Sequence, residues 1–359
     1  MADFDLTALA VAGCCPGNEV LFDDLGKPSI MVKIPKLTYA QLGMGASTAV
    51  HKAFIVDGQE VDEIYISKFP NIVQNNRAYS LPGVDPGNTM NFDKAREYCN
   101  NKGEGWHLMT RMEWGLLMRW CQNNGVLPKG NNSYGKDATE SGYKAIPGNK
   151  DASHYALRTL TGTGPLTWYH DQTPSGIADL KGNVWEWAGG IRTVYGELQI
   201  LANNNGANAL NSQGADSDDW KAIKAADGTL ITPNGSGTTS GSVKMDWASS
   251  KLKYDTTISD SAPGQHSCTF ANIECASSIG DATKLLLAEL GLMQYGGNTE
   301  LFSGESVYFD NSQAERCFGS GGGYGAAAGG MASFGGGDAR SLARGNIGFR
   351  SAYIKLPTA

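Results

Sequence analysis

Between Gly319 and Gly337 the chain is almost entirely Gly, Ala and Ser, interrupted only by Tyr324, Met331 and Phe334. Such a run has little apolar surface with which to build a core, and Gly loses the most backbone freedom on ordering. It is therefore either a disordered tail or a segment held by elements that fold without it. The residues downstream favour the second. Ile347 to Ile354 reads as a strand, with Ile347, Phe349, Ser351 and Tyr353 alternating with Gly348, Arg350, Ala352 and Ile354. A strand beyond the run has to pair inside a sheet, which would clamp the run at both ends.

The chain has 359 residues, 41% of them hydrophobic, enough to bury one large or two modest cores. Its 47 Gly are about twice the usual share, and the excess is local. A net charge of -7 with only 18% charged residues argues against a nucleic-acid partner, which needs a basic face. The sequence holds no apolar run long enough to span a bilayer, so no membrane insertion is expected. The start, MADFDLTALAVAGCC, carries two acids and no Lys or Arg before its short apolar stretch, so it does not read as a secretory signal. Cysteines stand at 14, 15, 99, 121, 268, 275 and 317, with no C-x-x-C pair, and read as reduced packing residues; the Cys14–Cys15 pair suggests no function. Histidines 51, 107, 154, 170 and 266 show no H-x-x-x-H spacing. No catalytic set, metal site or cofactor is expected from these patterns.

Residues 1–55 read as an N-terminal strand-and-turn region containing VLFDD and SIMVKI. VDEIYISKFPNI, stopped by Pro70, reads as an edge strand. Two amphipathic helices come next. NFDKAREYC has Asn91 as cap and a stripe of Phe92, Ala95 and Cys99; its successor opens on the capping box Thr110-x-x-Glu113. Residues 122–165 read as loop, LTWYHD as a short strand, and 189–265 as a polar insertion with short strands and mobile loops or a small accessory subdomain. DATKLLLAELGLM reads as a helix with Asp281 as cap and Gly291 as stop.

At TPSGIADLKGNVWEWAGG the sequence resembles the formylglycine-generating, sulfatase-modifying family, whose fold is a C-type-lectin variant. NFDKAREYC, GWHLMTRMEWGLLMRW and the closing RGNIGFRSAYI are similar to that family's two helices and last strand. The resemblance covers residues 60–190 and 280–359. It implies an α+β fold with two helices, short antiparallel sheets and much irregular structure, forming one domain over 56–359 with the insertion at 189–265.

The element order also resembles a second branch of this fold, the variable proteins of diversity-generating retroelements. In that branch the segment before the closing strand is rewritten by adenine-directed mutagenesis. Residues 317–350 look like such a region. Ser-Gly-Gly before Tyr324, Gly330-Met331, Ala339-Arg340-Ser341 and 347–350 look like frame. The resemblance implies a diversified ligand-binding surface made of Gly323, Tyr324, Gly325, Ala326, Ala328, Ala332, Ser333, Phe334, Gly337, Asp338, Leu342, Arg344 and Asn346. It implies a protein or glycan ligand on a host or partner surface, display on a virion tail or cell surface, and a homo-oligomer, a trimer by analogy. The many Gly and Ala suggest a flat face whose weak contact is raised by multivalency.

The family's enzymes use C-terminal cysteines, whereas this chain offers only Cys317 there and none from 318 to 359. That disfavours oxidative thiol chemistry. The E-P-N, Q-P-D and W-N-D triplets of calcium-dependent sugar binding do not occur, so no calcium site is expected. Asn183, Trp185, Glu186, Trp187, Arg340, Phe349 and Arg350 read as structural. Period-two alternation puts both Trp on one sheet face and Glu186 on the other, as a partner for Arg350, while Arg340 anchors the variable loop.

Overall fold

The computed structural model describes residues 6–297 and 299–356. Among them lie four α-helices and two principal sheets. No helix among the described residues is long and apolar enough to cross a membrane.

The smaller sheet joins the two ends of the chain. Its order is Asn18–Phe22, Pro28–Pro35, Glu63–Ser67, Ser351–Tyr353, Trp106–Leu108. The strand expected at an edge is therefore interior. Glu63–Ser67 pairs with Pro28–Pro35 on one side and with Ser351–Tyr353 on the other. Pro70 lies beyond the strand's last residue, so its missing N–H costs the ladder nothing. The front of the chain also differs from expectation, because Leu6–Cys14 is a helix, α1, rather than strand and turn.

Helices α2 (Phe92–Asn100) and α3 (Arg111–Asn123) start where their caps predict. The Asn91 side chain accepts from the Lys94 N–H at 2.9 Å, and Thr110 and Glu113 form the full reciprocal box. α3 is more than amphipathic. Eleven of its thirteen residues are buried, so it lies inside the core. Arg111 tolerates this because its guanidinium donates to the Leu290 and Gly291 carbonyls and to Ser320 Oγ, each at 2.7 Å. Those carbonyls end α4 (Asp281–Glu289), whose cap residue is Gly280, with Asp281 one position inside. Leu166–Trp168, expected as strand, is a 3₁₀ turn behind Pro165 that buries Trp168.

The larger sheet has twelve strands, and its spine is Trp185–Val194. That strand pairs antiparallel with Glu197–Ile200 and Arg316–Ser320 and parallel with Ile347–Phe349. A bulge between Ala188 and Arg192 falls on Gly189-Gly190, where Gly190 has φ 76°. Residues 189–265 build this sheet rather than leave it. Leu198, Ile200, Val243, Met245 and Leu252 join the same core cluster as Phe318 and Phe334. The short strands expected here are present, and Lys221–Ile223 and Leu230–Ile231 pair into the larger sheet between polar turns.

The terminal strand breaks in two at Arg350. Ile347–Phe349 belongs to the larger sheet and Ser351–Tyr353 to the smaller. Arg350 is fully buried at this junction. Nε and Nη2 donate to the Glu186 carboxylate at 2.9 and 2.8 Å, and the remaining donors reach the carbonyls of Ser67, Lys68 and Ala178. A buried guanidinium survives desolvation only with this degree of pairing, so a single residue ties both sheets together.

Candidate ligand-binding site

The Gly-rich stretch divides by burial into a buried entry, an exposed bulge, a buried return and an exposed exit. The entry is the strand Arg316–Ser320 followed by Gly321 to Gly323, all buried from Cys317 onward. The bulge runs over 324–328. Gly325, Ala327 and Ala328 are exposed there, while Tyr324 and Ala326 are half-buried. Tyr324 sits beside Tyr134, ring centroids 5.9 Å apart, and its carbonyl accepts from the Tyr134 N–H at 2.8 Å.

The return, 329–336, is core. Met331, Ala332, Ser333 and Phe334 have no exposed surface. Two anchors hold it. Trp114 of α3 donates its indole N–H to the Met331 carbonyl at 2.8 Å, and the buried Glu305 carboxylate accepts from the Ala332 N–H. Glu305 lies so close that a Cβ on Gly330 would stand 1.9 Å from its oxygen, so a larger residue there would have to displace the carboxylate. Burial raises the Glu305 pKa to about 7, against the opposing pull of Lys181 and the backbone N–H groups.

The exit begins at Gly337 and Asp338, both half-buried, and passes through a surface turn to Asn346. Arg340 fixes this turn. It donates twice to Glu315, at 2.8 and 2.7 Å, and once to Asp93 at 2.8 Å, and it lies over the Phe92 ring. Leu342 packs against the cluster of Phe92, Trp187 and Phe349. Arg344 is exposed, and the Asn346 carbonyl accepts from the Trp185 N–H at 2.8 Å. Burial raises the Asp338 pKa, while Arg344 and Arg316 pull it back.

Bulge and exit meet at a cavity of about 230 Å³ lined by Trp185, Gln265, Tyr308, Ala326, Gly335, Gly337, Asp338 and Arg344. Trp185 and Tyr308 meet edge to face, 6.0 Å apart. The cavity exists because the residues around the indole lack side chains. A Cβ on Gly323, Gly319 or Gly335 would come within 3.3, 3.5 or 3.8 Å of the Trp185 ring. The surface is therefore notched rather than flat.

Four of the expected binding residues line or rim this cavity: Ala326, Gly337, Asp338 and Arg344. Tyr324, Gly325 and Ala328 share the exposed bulge, and Leu342 and Asn346 the exit. Gly323, Ala332, Ser333 and Phe334 are a correction, because all four are buried and cannot touch a ligand. Phe334 instead packs against Phe318, beneath the Arg111 guanidinium. Sequence reasoning missed Tyr308 and Gln265, which come from strands far away in the chain, and placed Trp185 only in the core. The other residues read as frame are placed as follows. Asn183 adopts φ 64° and pairs with Thr159 through its side-chain amide; Trp187 donates to the Met90 carbonyl at 3.0 Å; Phe349 is buried.

Cys317, at the head of the stretch, is fully buried, and desolvation pushes its thiol up to about 12. Every cysteine is a free thiol. Among the described residues no group of three His, Cys, Asp or Glu side chains is disposed to hold a metal ion.

Residues 48–222 match the family model of the sulfatase-modifying factor enzyme 1-like domain. Over that span the chain is similar to a domain of this type. The architecture is mixed α and β, with four α-helices among the described residues, mostly short strands and the GNVWEW segment leading into the spine of the larger sheet. Among solved structures, the chain is similar to variable protein 1 of Treponema denticola, with 11% identity, 95% of this chain and 100% of that one covered, and a TM-score of 0.34. It is similar to PvdO from Pseudomonas aeruginosa, at 12% identity, 95% and 99% coverage and a TM-score of 0.32. It is also similar to the U1 variant of a major tropism determinant, at 11% identity, 94% and 71% coverage and a TM-score of 0.30. No curated protein sequence matches the chain.

Proposed function

We propose that this protein recognises a ligand through the exposed bulge and exit of the Gly-rich stretch, around the Trp185 cavity, and does no chemistry there. The observation that carries the reading is the division of the stretch. Residues 329–336 are locked into the frame, whereas 324–328 and 337–346 lie at the surface, the latter pinned to the frame chiefly through Arg340 and Leu342. A frame fixed in this way lets outward side chains change without unfolding the protein. Binding energy at such a surface concentrates in a few aromatic and Arg side chains, here Tyr324, Tyr308, Trp185 and Arg344.

The ligand in this reading is a protein or glycan on a host or partner surface. Display on a virion tail or cell surface, in a trimer or other homo-oligomer, belongs to the same reading. So does a lectin-type unit over 56–359 with 189–265 as its inserted segment.

The test is genetic and biochemical. Flanking DNA is expected to hold a near-copy of codons 317–350 and a reverse transcriptase gene. Sibling copies are expected to differ at 324–328, 337–338 and 342–346 and to keep 329–334 and 339–341. Siblings that vary at Met331 or Phe334 and not at the exposed positions would overturn the reading. In capture from host surface extracts, Tyr324→Ala with Arg344→Ala is expected to abolish retention. The enzyme reading, favoured by the domain match, predicts copper-dependent oxidation of a cysteine-containing peptide. The buried Cys317 thiol argues against it.

A further inference from the structure

A large cavity lies outside the Gly-rich stretch and has no part in the reading above. It measures about 1080 Å³ and sits at the tip of the hairpin formed by Trp185–Val194 and Glu197–Ile200, beneath the loop 236–241. Its volume is at the top of the range, roughly 300–1,000 Å³, that encloses a drug-sized ligand.

The hairpin turn is unusual. Val194 pairs with Glu197, leaving Tyr195-Gly196 as a two-residue loop with φ 46° and 78°. A turn with both central residues in the left-handed region calls for Asn-Gly, and a bulky aromatic residue at its first position is strained. The chain accepts that strain and thereby presents the Tyr195 ring, 42% exposed, at the cavity wall. The loop above is prebuilt. The buried Glu197 carboxylate accepts from the Thr239 N–H at 2.9 Å and from Ser242 Oγ at 2.7 Å.

The lining is rich in hydroxyls. Among the described residues, those of Tyr195, Ser240, Thr256 and Thr257 have no partner, whereas Asn311 is held by Asp260 and Gly264. The charged residue among the described lining is Lys244. Its ammonium is buried and donates to the Thr239 and Thr256 carbonyls and to Ser242 Oγ. The cavity therefore offers an aromatic face and solvent-facing hydroxyls that no group among the described residues engages, while its charge is already engaged.

We infer that this cleft is a second binding site, for a neutral oligosaccharide. A sugar brings hydroxyls to pair with the free ones and C–H faces to stack on the Tyr195 ring, and the volume suits several residues rather than one. An anionic glycan would find no free cation to offset its desolvation.

The test is calorimetric titration of the full chain with maltotetraose, cellotetraose, chitotetraose and, as a charged control, a heparin tetrasaccharide. At least one neutral tetrasaccharide is expected to bind and the heparin fragment is not. Tyr195→Asn suits the turn, so its melting temperature is expected to stay level or rise while sugar affinity drops about tenfold or more. Thr257→Val is expected to weaken binding without loss of fold, and Arg344→Ala to leave it unchanged. Failure of all three neutral sugars at millimolar concentration would overturn the inference. Preference for heparin, or full affinity in folded Tyr195→Asn protein, would do the same.

Discussion

Residues 324–328 and 329–336 come from one compositional run, yet one segment is surface and the other is core. Both are dominated by Gly and Ala, and each contains an aromatic or apolar residue that could anchor a ligand or a fold. The difference lies in what reaches them. Gly325, Ala327 and Ala328 stand open to water. The return is gripped by the Trp114 indole and the Glu305 carboxylate, and Phe334 is packed beside Phe318. Low side-chain volume thus serves opposite ends: outside it leaves room for change, and inside it lets backbone pass close to buried groups.

The contrast can be broken by substitution, and the largest effect belongs to the frame that both segments depend on. Glu186→Ala leaves the Arg350 charge buried and unpaired, and is expected to cost about 3–5 kcal/mol in urea unfolding. Retained stability would mean that the sheet junction is not held there. Phe334→Ala removes a fully buried ring and is expected to lose about 3–5 kcal/mol, while Tyr324→Ala in the bulge stays near about 1 kcal/mol. Equal losses would erase the distinction between return and bulge.

Gly330→Ala drives a Cβ onto Glu305 and is expected to cost about 1–3 kcal/mol, against a change within about 0.5 kcal/mol for Ala327→Ser. Differential scanning calorimetry of the pair decides it. A further effect is a slope rather than a fixed cost. Glu305 has its folded pKa raised from 4.5 to about 7, so its stabilising contribution is complete below about 4.5. That contribution fades as pH rises through about 7, since the folded state holds the proton longer than the unfolded one. Stability measured from about pH 4.5 to about pH 7.5 is expected to carry this falling component, and Glu305→Gln is expected to remove it. An unchanged slope in the variant would place the proton elsewhere.

Much of the frame was legible in local chemistry. A capping box declares itself within four residues, and so Thr110 and Glu113 located α3. Asn91 located α2 in the same way. GNVWEW marked the spine of the larger sheet, and Glu186 was a natural partner for Arg350 because a buried guanidinium needs a carboxylate. The candidate site was legible only in part. Asp338, Arg344 and Ala326 were expected from their place in the Gly-rich stretch, and all three lie at the Trp185 cavity. Tyr308 and Gln265 were not, because their strands come to the cavity by sheet pairing, which no local pattern records. Phe334 was misassigned for a related reason: an aromatic among glycines is equally suited to a surface hot spot and to a core, and only its neighbours decide.

By itself, then, the sequence determined where helices α2 and α3 begin, that a strand closes the chain after the Gly-rich run, and that the run must be held from outside. These depend on backbone caps, side-chain period and entropy, all short-range. The tertiary structure alone decided that the closing strand splits at Arg350 between two sheets, that 189–265 adds strands to the larger one, and which half of the run faces water. Those outcomes depend on groups brought together across the chain, such as Trp114 with Met331 and Glu305 with Ala332, and contacts of that kind leave no local mark on the sequence.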